Sequence, residues 1–249
     1  KIYNPGTVHE TCLFKDFSLK IEQGSFASVV GSNGSGKTSL LNILCGSIPV
    51  EQGKILMDNA DITKVKEFRR YRRMGRVYQN PAMGTCPTMN ILENLSMADN
   101  KGKPFNLTRG TNKRRIEAYK AMLAPLGLGL EDKMGIPVGS LSGGQHQALA
   151  LLMATMNPID FLILDEHTAA LDPKTAEIIM ELTAKIVAEK HLTTLMVTHN
   201  LRHALTYGDR LLMLHAGQVV LDRSGEEKQA TQLDDILGLF NAISIECGN

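Results

Sequence analysis

The sequence is poor in the residues that mark disulfide-stapled, metal-clustered or membrane-spanning proteins. Its 249 residues include only four cysteines, which are scattered without a C-x-x-C pair, so we expect reduced thiols and neither a disulfide framework nor a zinc site. The strongly apolar runs reach about nine residues, as in 148–156, whereas a transmembrane helix needs about 20. Tryptophan is absent. We therefore expect a globular protein of one domain, or of one domain with a subdomain.

An excess of charge of one sign is missing as well. The 27 Lys and Arg residues balance 26 Asp and Glu residues, which leaves a net charge of +1 and no general attraction to nucleic acid or to an anionic membrane. A local basic cluster does occur at 64–76, KVKEFRRYRRMGR, and we interpret it as a solvated helix face followed by the start of a strand. The alternative, a nucleic-acid patch, lacks the aromatic platforms of single-strand binding, so we expect no nucleic-acid partner.

The hydrophobic pattern predicts an α/β fold. Residues 13–24 and 53–58 alternate as antiparallel strands do beside glycine turns, and 25–30 is a short β-rich run before a predicted helix at 39–46. A second group of continuous apolar strands, with a helix at 174–189 between the first two, implies a parallel sheet. These strands are predicted at 161–165, 193–199, 210–215 and 218–222.

Helical patterns dominate the middle of the chain, with predicted helices at 89–98, 113–127 and 143–156. We interpret 80–157 as a helical subdomain inserted into an α/β core formed by 1–79 and 158–249, which includes a small antiparallel β portion. The C-terminal stretch 231–240 predicts a helix docked on its own domain. Its apolar stripe consists of Leu233, Ile236, Leu237 and Phe240.

Residues 31–38, GSNGSGKT, match the phosphate-binding pattern G-x-x-x-x-G-K-[ST] in full, and they follow a predicted strand and open a predicted helix. Glycines at 34 and 36 let backbone N–H groups close around a phosphate, and the helix N-terminus adds a favourable dipole. Lys37 supplies a charge to the β- and γ-phosphates, and Thr38 offers a hydroxyl to Mg²⁺. We expect ATP to bind at Gly31, Ser32, Asn33, Gly34, Ser35, Gly36, Lys37, Thr38 and Ser39.

Two acidic residues end the apolar run FLILDE at 161–166. Ligands of open α/β sheets bind at the carboxyl ends of strands, which is where Asp165 and Glu166 fall. We expect Asp165 to hold Mg²⁺, directly or through water, and Glu166 to orient or deprotonate an attacking water. The alternative is that the strand simply ends in two solvated acids. We disfavour it because the same chain also has the glycine-rich loop.

Two further residues follow strand-like runs. His199 ends TTLMVTH, where an imidazole can bond a γ-phosphate or hold the attacking water and Glu166 in place, although a lone histidine is usually structural. Gln79 follows GRVY at the joint between the core and the helical insert. We expect Gln79 to reach Mg²⁺ or the water while it responds to the angle between the two parts.

A second glycine turn, LSGGQ at 141–145, precedes the predicted helix at 143–156 and is an anion site by the same physics. Because this turn belongs to the helical insert, we expect it to serve the nucleotide of another copy. Two chains arranged head to tail would then form two composite sites related by two-fold symmetry.

Taken together in this order, the motifs resemble those of the ATP-binding cassette (ABC) ATPases along nearly the whole chain. The matching parts are the Walker A loop GSNGSGKT, Gln79, LSGGQ, FLILD with Glu166, the D-loop ALD at 170–172, and His199. The resemblance implies a P-loop NTPase (RecA-like) core and a dimer that encloses two ATP molecules. It also implies that Tyr3 stacks on adenine. It further implies that the ATP of the partner copy is contacted by Ser142, Gly143, Gly144 and Gln145, and that Asp172 lies at the interface.

The spacing narrows the resemblance within the family. DNA-repair and chromosome-structuring members carry a long coiled coil between Walker A and the signature, and translation-factor members carry two cassettes, whereas this chain has neither. It resembles the separate ATPase subunit of a prokaryotic transporter, which implies integral membrane permease partners and a cytoplasmic place on the inner face of the plasma membrane. The alternatives are a non-transport ABC ATPase that acts on a protein complex, and a cassette that binds ATP as a clamp.

Four sequence segments are similar to those of cassettes that work with substrate-binding-protein-dependent importers. Such importers are often assigned to the transport of aromatic amino acids. The segments are YNPGT at 3–7, QNPAMGTCPTMNILENL at 79–95, LLMATMNP at 151–158 and LDEHTAALDPKTA at 164–176. This similarity implies import and an indirect extracytoplasmic binding-protein partner. The chain departs from the family at His167, where proline is usual, and at His146, Ala148 and Met153, where many members have arginine.

Overall fold

The computed structural model describes residues 1–103 and 110–246, and side chains as far as residue 242. In these residues the strands, in chain order, are β1 (Ile2–Tyr3), β2 (Thr11–Cys12), β3 (Phe26–Gly31), β4 (Leu56–Met57), β5 (Ala60–Asp61), β6 (Met74–Val77), β7 (Phe161–Asp165), β8 (Thr193–Val197), β9 (Arg210–His215) and β10 (Gln218–Ser224). The helices are α1 (Lys37–Cys45), α2 (Glu67–Arg70), α3 (Ile91–Asp99), α4 (Ile116–Leu123), α5 (Gly143–Thr155), α6 (Pro173–Lys190), α7 (Leu201–Thr206), α8 (Gly225–Ala230) and α9 (Leu233–Glu246). Short 3₁₀ turns lie at Pro81–Met83, Lys113–Arg115, Ala124–Leu126 and Val138–Ser140.

The chain forms two compact units. The first contains Lys1–Tyr71 and Thr193–Asn249, and the second contains Arg72–Leu192. The predicted helical insert, 80–157, lies within the sequence of the second unit, and its exact boundaries remain a prediction. No helix among the described residues is long and apolar enough to cross a bilayer.

The first unit contains four strands of a mixed sheet, in the order β10-β9-β3-β8. Strand β3 pairs in parallel with β8 and with β9, whereas β9 and β10 form an antiparallel pair. Strand β3, which contains most of the β-rich run predicted at 25–30, is buried along its whole length, as is typical of a central strand in a parallel sheet. The predicted α/β class with a parallel core and an antiparallel portion is confirmed.

The predicted strand over 13–24 is wrong, because this segment forms no ladder with another strand. Its side chains still alternate between partly buried and exposed positions, which produced the strand-like pattern. Side chains instead bind its carbonyl groups: Arg210 donates to the carbonyl of Lys20, and Gln218 donates to that of Lys15 at 2.8 Å. Alternation of burial therefore arises here without sheet pairing.

Apart from β9 and β10, the antiparallel strands of the described residues form two-residue pairs, shorter than predicted. Strand β4 covers only part of the predicted strand 53–58, and it pairs with β5 across Asp58 and Asn59. Both turn residues have positive φ angles, 48° and 64°, as a tight hairpin of this kind requires. The other pair joins β1 to β2.

The basic segment 64–76 contains the predicted strand start, since β6 begins at Met74, but one residue of its helix is not solvated as we expected. Arg70, at the end of α2, is 5% exposed, and its guanidinium donates to four carbonyl groups at 2.8–2.9 Å. The acceptors are Ile43, Leu44, Thr63 and Val65. The expectation is wrong for this residue because a guanidinium with five donors can be buried when carbonyl groups surround it.

The second unit combines the parallel pair β6–β7 with helices α3 to α6. Its apolar cluster joins side chains of α3, α4, α5 and α6, including Leu95, Tyr119, Leu149 and Ile179. Helix α3 begins with a reciprocal capping box between Asn90 and Glu93. The predicted helices at 89–98, 113–127, 143–156 and 174–189 are all found, although the second is shortened by 3₁₀ turns at both ends.

The C-terminal helix α9 packs on the first unit through Ile236, which is fully buried with Val30, Leu211 and Met213. Leu239 and Phe240 pack against the same cluster, but Leu237 is 42% exposed. The predicted docking is confirmed, and the predicted place of Leu237 on the apolar stripe is wrong. At 3.6 residues per turn, Leu239 shares the face of Ile236 better than Leu237 does.

The two neighbours on α9 provide a direct test of this docking. We expect Ile236→Ala to lower the free energy of unfolding by about 2–4 kcal/mol, because it leaves a cavity in a buried cluster. The matched control Leu237→Ala should change it by less than about 0.5 kcal/mol. Denaturant unfolding of both variants measures the difference, and equal effects would contradict the docking.

Candidate functional site

The glycine-rich loop at 31–38 joins the end of β3 to the start of α1. Gly36 precedes the helix with φ 107° and ψ 2°, a left-handed conformation that side-chain-bearing residues rarely adopt. In the part of the chain that the structure describes, no side chain caps α1, and its first turn holds no acidic residue. The first backbone N–H groups of the helix are thus suited to bind an anion.

Lys37 brings a fixed positive charge into this loop. The residue is 6% exposed, and its Nζ donates to the carbonyl oxygens of Gly31 at 2.8 Å and Ser32 at 2.9 Å. The loop therefore wraps around the ammonium group. Its surroundings combine that charge with a helix N-terminus, which together favour a phosphate.

Tyr3 lies beside the same helix. Its phenolic hydroxyl donates to Ser39 Oγ at 2.9 Å, and the Lys1 ammonium lies 5.3 Å from the centre of its ring. Ser39 is two residues after Lys37, so the structure brings the predicted adenine-stacking aromatic to the first turn of the phosphate-binding helix.

His199 emerges at the same sheet edge as the glycine-rich loop. Strands β3 and β8 are parallel neighbours, with Val29 opposite Val197, so their carboxyl ends lie together. His199 follows the end of β8 by two residues and is exposed. The structure thus brings two of the predicted elements to one edge of the first unit.

A second parallel pair does the same within the second unit. Val77 of β6 lies opposite Leu164 of β7, and both strands end at one edge. Gln79 follows β6, whereas Asp165 ends β7 and Glu166 comes next. One amide and two carboxylates therefore lie at this edge. They belong to the residues of this unit that were predicted to bind Mg²⁺ or the attacking water.

Glu166 has a strained backbone. Its φ of 49° is left-handed, which costs a residue other than glycine about 1–3 kcal/mol unless the surroundings hold it. The next residue, His167, is buried and lies with Nε2 3.1 Å from Thr183 Oγ1. Thr183 donates its own hydroxyl proton to the carbonyl of Ile179 at 2.7 Å, so the imidazole N–H must donate to Thr183. His167 thus anchors the turn that presents Glu166.

Sequence analysis missed Arg76, which lies in β6, the strand whose start was predicted within 64–76. Its Nη2 donates to Asp165 Oδ2 at 2.6 Å, and only 6% of its side chain is exposed. The one available signal was an arginine within an otherwise apolar strand, in a sequence that also has a candidate metal-binding aspartate at the end of a later strand. The pairing of the two strands, which brings these residues together, is not visible in the sequence.

The signature turn forms a capping box at the start of α5. Ser142 Oγ accepts from the Gln145 backbone N–H at 3.3 Å, and Gln145 Oε1 accepts from the Ser142 N–H at the same distance. The Gln145 side chain also donates to the carbonyl of Leu128 at 3.0 Å. The turn is therefore preorganised by its own side chains.

The glycines of this turn also allow α5 to approach α6. A Cβ atom on Gly144 would lie 2.4 Å from Thr175 Cγ2, which is too close. The backbone N–H of Thr175 is bound by Asp172, the cap of α6, at 3.1 Å. Hydrogen bonds from Thr175 hold the pKa of Asp172 below its usual range, so this exposed carboxylate is charged at neutral pH.

The departures in α5 are buried rather than solvated. His146 is within 2.8 Å of Thr85 Oγ1 through its Nε2 atom, and burial lowers the pKa of the imidazole, which is neutral at pH 7. Ala148 and Met153 belong to the apolar cluster of the second unit. Gln147 donates to the carbonyl of Tyr78 at 3.1 Å, next to Gln79. Side chains of α5 therefore hold the segment that carries Gln79.

The donor set suits magnesium rather than a transition metal. The predicted ligands are a hydroxyl (Thr38), an amide (Gln79) and a carboxylate (Asp165), all hard oxygen donors. Among the described residues, no group of three or more His, Cys, Asp or Glu side chains is placed to hold a metal by itself. Magnesium usually binds through one or two carboxylates together with substrate phosphates, so these residues fit it.

This fold and this set of loops define an ATP-hydrolysing nucleotide-binding protein of the P-loop class. The family model described as ABC transporter matches residues 14–169, and the chain belongs to this family. It is thus an ATP-binding subunit with the ATPase activity of ABC transporters. The family expected from the motifs is confirmed.

Named relatives agree with this assignment. The chain is 49% identical over 228 residues to a tyrosine transport ATP-binding protein of Clostridioides difficile (strain R20291), covering 92% of this chain and 90% of the relative. It is 30% identical to the phosphonates import ATP-binding protein PhnC of Lactococcus lactis subsp. cremoris (strain SK11), covering 95% of each. Among solved structures, an ATP-binding cassette in a dimeric post-hydrolysis state with ADP and Pi is similar, with a TM-score of 0.75, 29% identity, and coverage of 90% of this chain and 95% of that one.

The anchor behind Glu166 can be tested at Thr183. We expect Thr183→Val to lower the free energy of unfolding by about 1–3 kcal/mol, because it leaves a buried imidazole N–H without an acceptor. We also expect kcat for ATP hydrolysis to fall with little change in ATP affinity. Thr183→Ser, which keeps the hydroxyl, is the matched control and should retain most of both. A valine variant as stable and as active as the serine variant would contradict the anchor.

Proposed function

We propose that the chain powers import through integral membrane permease subunits, and that two copies arranged head to tail hydrolyse ATP at composite sites. The identity to relatives named for import or transport supports this role, most directly the 49% identity over 92% of the chain. The similar cassette solved as a dimer with ADP and Pi supports the pairing.

The phosphates bind at the start of α1, where the uncapped backbone N–H groups and the Lys37 ammonium face one loop. Binding there exchanges the carbonyl contacts of Lys37 for contacts with the β- and γ-phosphates, which carry a full negative charge. Tyr3 stacks on the adenine. The bond from its hydroxyl to Ser39 supports this role, since it holds the ring beside the nucleotide-binding helix.

Thr38, Asp165 and Gln79 hold Mg²⁺ through oxygen atoms. When bound, the ion neutralises the phosphate charge and assists departure of ADP. The chemistry of the three donors supports this assignment, as does the place of Asp165 and Gln79 at the same edge of the β6–β7 pair.

Glu166 orients the attacking water and accepts its proton as the water adds to the γ-phosphate. His199 hydrogen-bonds the γ-phosphate and helps to hold the water and Glu166 in place. The strained backbone of Glu166, held by the buried His167, supports a functional role, since such strain clusters at active sites.

The signature turn acts on the nucleotide of the second copy. Ser142, Gly143, Gly144 and Gln145 present a helix N-terminus to its γ-phosphate, and Asp172 lies at the interface between copies. The capping box supports this role because it fixes the turn before the partner arrives, which lowers the entropy lost on dimer closure. Hydrolysis removes the bridging phosphate and lets the dimer open.

We infer that the cargo is an amino acid, with tyrosine as the first candidate, because of the name of the relative with 49% identity. An extracytoplasmic substrate-binding protein would deliver it to the permease. The chain would then lie on the cytoplasmic face of the plasma membrane, attached through the permease. No observation favours the alternative of a non-transport ABC ATPase.

Dimer closure is tested by the mass of the Glu166→Gln protein in solution. We expect a monomer without nucleotide and a dimer with ATP and Mg²⁺, because the variant binds ATP but hydrolyses it slower by orders of magnitude. Light scattering after size-exclusion chromatography gives the mass. Near-normal hydrolysis by this variant would contradict the role of Glu166. A monomer at saturating ATP, with the permease also present, would contradict the composite site.

The role of Ser142 in trans is tested by Ser142→Gly. Glycine at a helix N-cap costs only a few tenths of a kcal/mol relative to serine, so the fold should persist. We expect kcat to fall at least about tenfold, a typical loss when one transition-state hydrogen bond is removed, with unchanged ATP affinity. Ser140→Gly, two residues earlier, is the control. Equal loss of affinity and kcat would contradict a contact in trans.

A further inference from the structure

Arg76 and Asp165 form a largely buried ion pair at the edge where β6 and β7 end. Arg76 Nη2 donates to Asp165 Oδ2 at 2.6 Å, and the exposed fractions of the two side chains are 6% and 16%. The strand register places Arg76 opposite Ile163, two residues before Asp165. The guanidinium therefore reaches along the strand to its carboxyl end.

The guanidinium is held in that position by its surroundings. Its carbon lies 4.6 Å from the centre of the Tyr78 ring, within the range of a cation–π contact. The carbonyl of Tyr78 accepts from Gln147 of α5 at 3.1 Å. A carboxylate with little exposure needs a positive partner, because few water molecules reach it. Arg76 supplies that partner in the structure.

We propose that Arg76 is a positioning residue that acts as the resident counter-ion of Asp165 and thereby sets the Mg²⁺ concentration at which the ATP site assembles. The inference rests on the proposed metal-binding role of Asp165. When the carboxylate accepts a metal, the guanidinium remains beside a second cation, and the two repel each other. Arg76 therefore weakens metal binding in the absence of nucleotide, whereas the phosphates of bound ATP add the negative charge that overcomes the repulsion.

A second arginine–aspartate pair joins the same two strand segments at their other end. Arg73 donates to Asp160, and the exposed fractions of these side chains are 44% and 49%. This pair precedes β6 and β7, away from the edge that carries Asp165. It provides a matched control, with the same residue types and the same pair of strands but no predicted metal ligand.

The test measures ATP affinity of the full chain as a function of Mg²⁺ concentration, in the Glu166→Gln background to prevent turnover. Equilibrium dialysis with radiolabelled ATP gives the dissociation constant in EDTA and the Mg²⁺ midpoint. We expect Arg76→Met to lower that midpoint about tenfold, since a positive charge beside the metal is removed. The ATP affinity in EDTA should change less than about twofold, because the carboxylate that Arg76 binds belongs to the proposed metal site, which is empty without Mg²⁺.

Other variants separate charge from structure. Arg73→Met should leave the midpoint unchanged, and Arg76→Lys, which keeps the charge, should remain close to the wild type. Without nucleotide, Arg76→Met should melt at a lower temperature, and addition of Mg²⁺ with ATP should raise its melting temperature by more than that of the wild type. If Arg76→Met does not fold, Arg76→Gln gives the same test, because it keeps a hydrogen-bond donor without the charge.

A midpoint for Arg76→Met or Arg76→Gln that equals that of Arg73→Met, or that lies above the wild-type value, would overturn the proposal. The proposed function has a separate failure. Asp165→Asn is measured in the same Glu166→Gln background with Arg76 kept. If it leaves the Mg²⁺ midpoint unchanged, then Asp165 is not the metal ligand and the assignment of the metal site is wrong. A shift in Asp165→Asn without a shift in Arg76→Met would overturn the counter-ion alone.

Discussion

Parallel pairing of β3 with β8 and of β6 with β7 is the constraint on which the candidate site depends. A parallel pair brings two carboxyl ends to one edge, so residues far apart in sequence become neighbours without a dedicated contact between them. In the first unit this joins the glycine-rich loop to His199, and in the second it joins Gln79 to Asp165 and Glu166. The hydrogen bonds of Arg76 with Asp165 and of His167 with Thr183 then fix side chains that the strand pairing has already brought to these edges.

Many polar groups of the site have a structural partner as well as a proposed chemical one. Lys37 binds loop carbonyl groups, Ser142 and Gln145 cap α5, and Asp172 caps α6. The carbonyl groups satisfy the buried ammonium of Lys37, and the caps satisfy backbone N–H groups at the starts of α5 and α6. These bonds also hold the side chains close to fixed positions. A nucleotide must therefore compete with the carbonyl groups that bind Lys37, which favours a charged phosphate over a neutral ligand. A second copy must likewise compete with the caps of α5 and α6.

The sequence was sufficient for the class of fold, the long helices and the central strands, because continuous apolar runs and helical spacing are strong signals. It also placed the glycine-rich loop, since the full pattern occurs between a predicted strand and a predicted helix, the context that phosphate binding requires. It failed where burial alternated without pairing, at 13–24, and where one residue shifted the face of a helix, at Leu237. The pairings of Arg76 with Asp165 and of His167 with Thr183 depend on tertiary neighbours, which no local pattern records.

Arg70 has a consequence for the local fluctuations of the first unit. Its guanidinium binds carbonyl groups from the end of α1, from Thr63 and from Val65 at once, so loosening any one of these segments would take hydrogen-bond acceptors from a buried charge. The end of the nucleotide-binding helix and the segment after β5 should therefore exchange their amide protons as one cooperative unit. Slow opening of the C-terminal end of α1 is thus coupled to opening of the segment after β5, about 20 residues away in sequence.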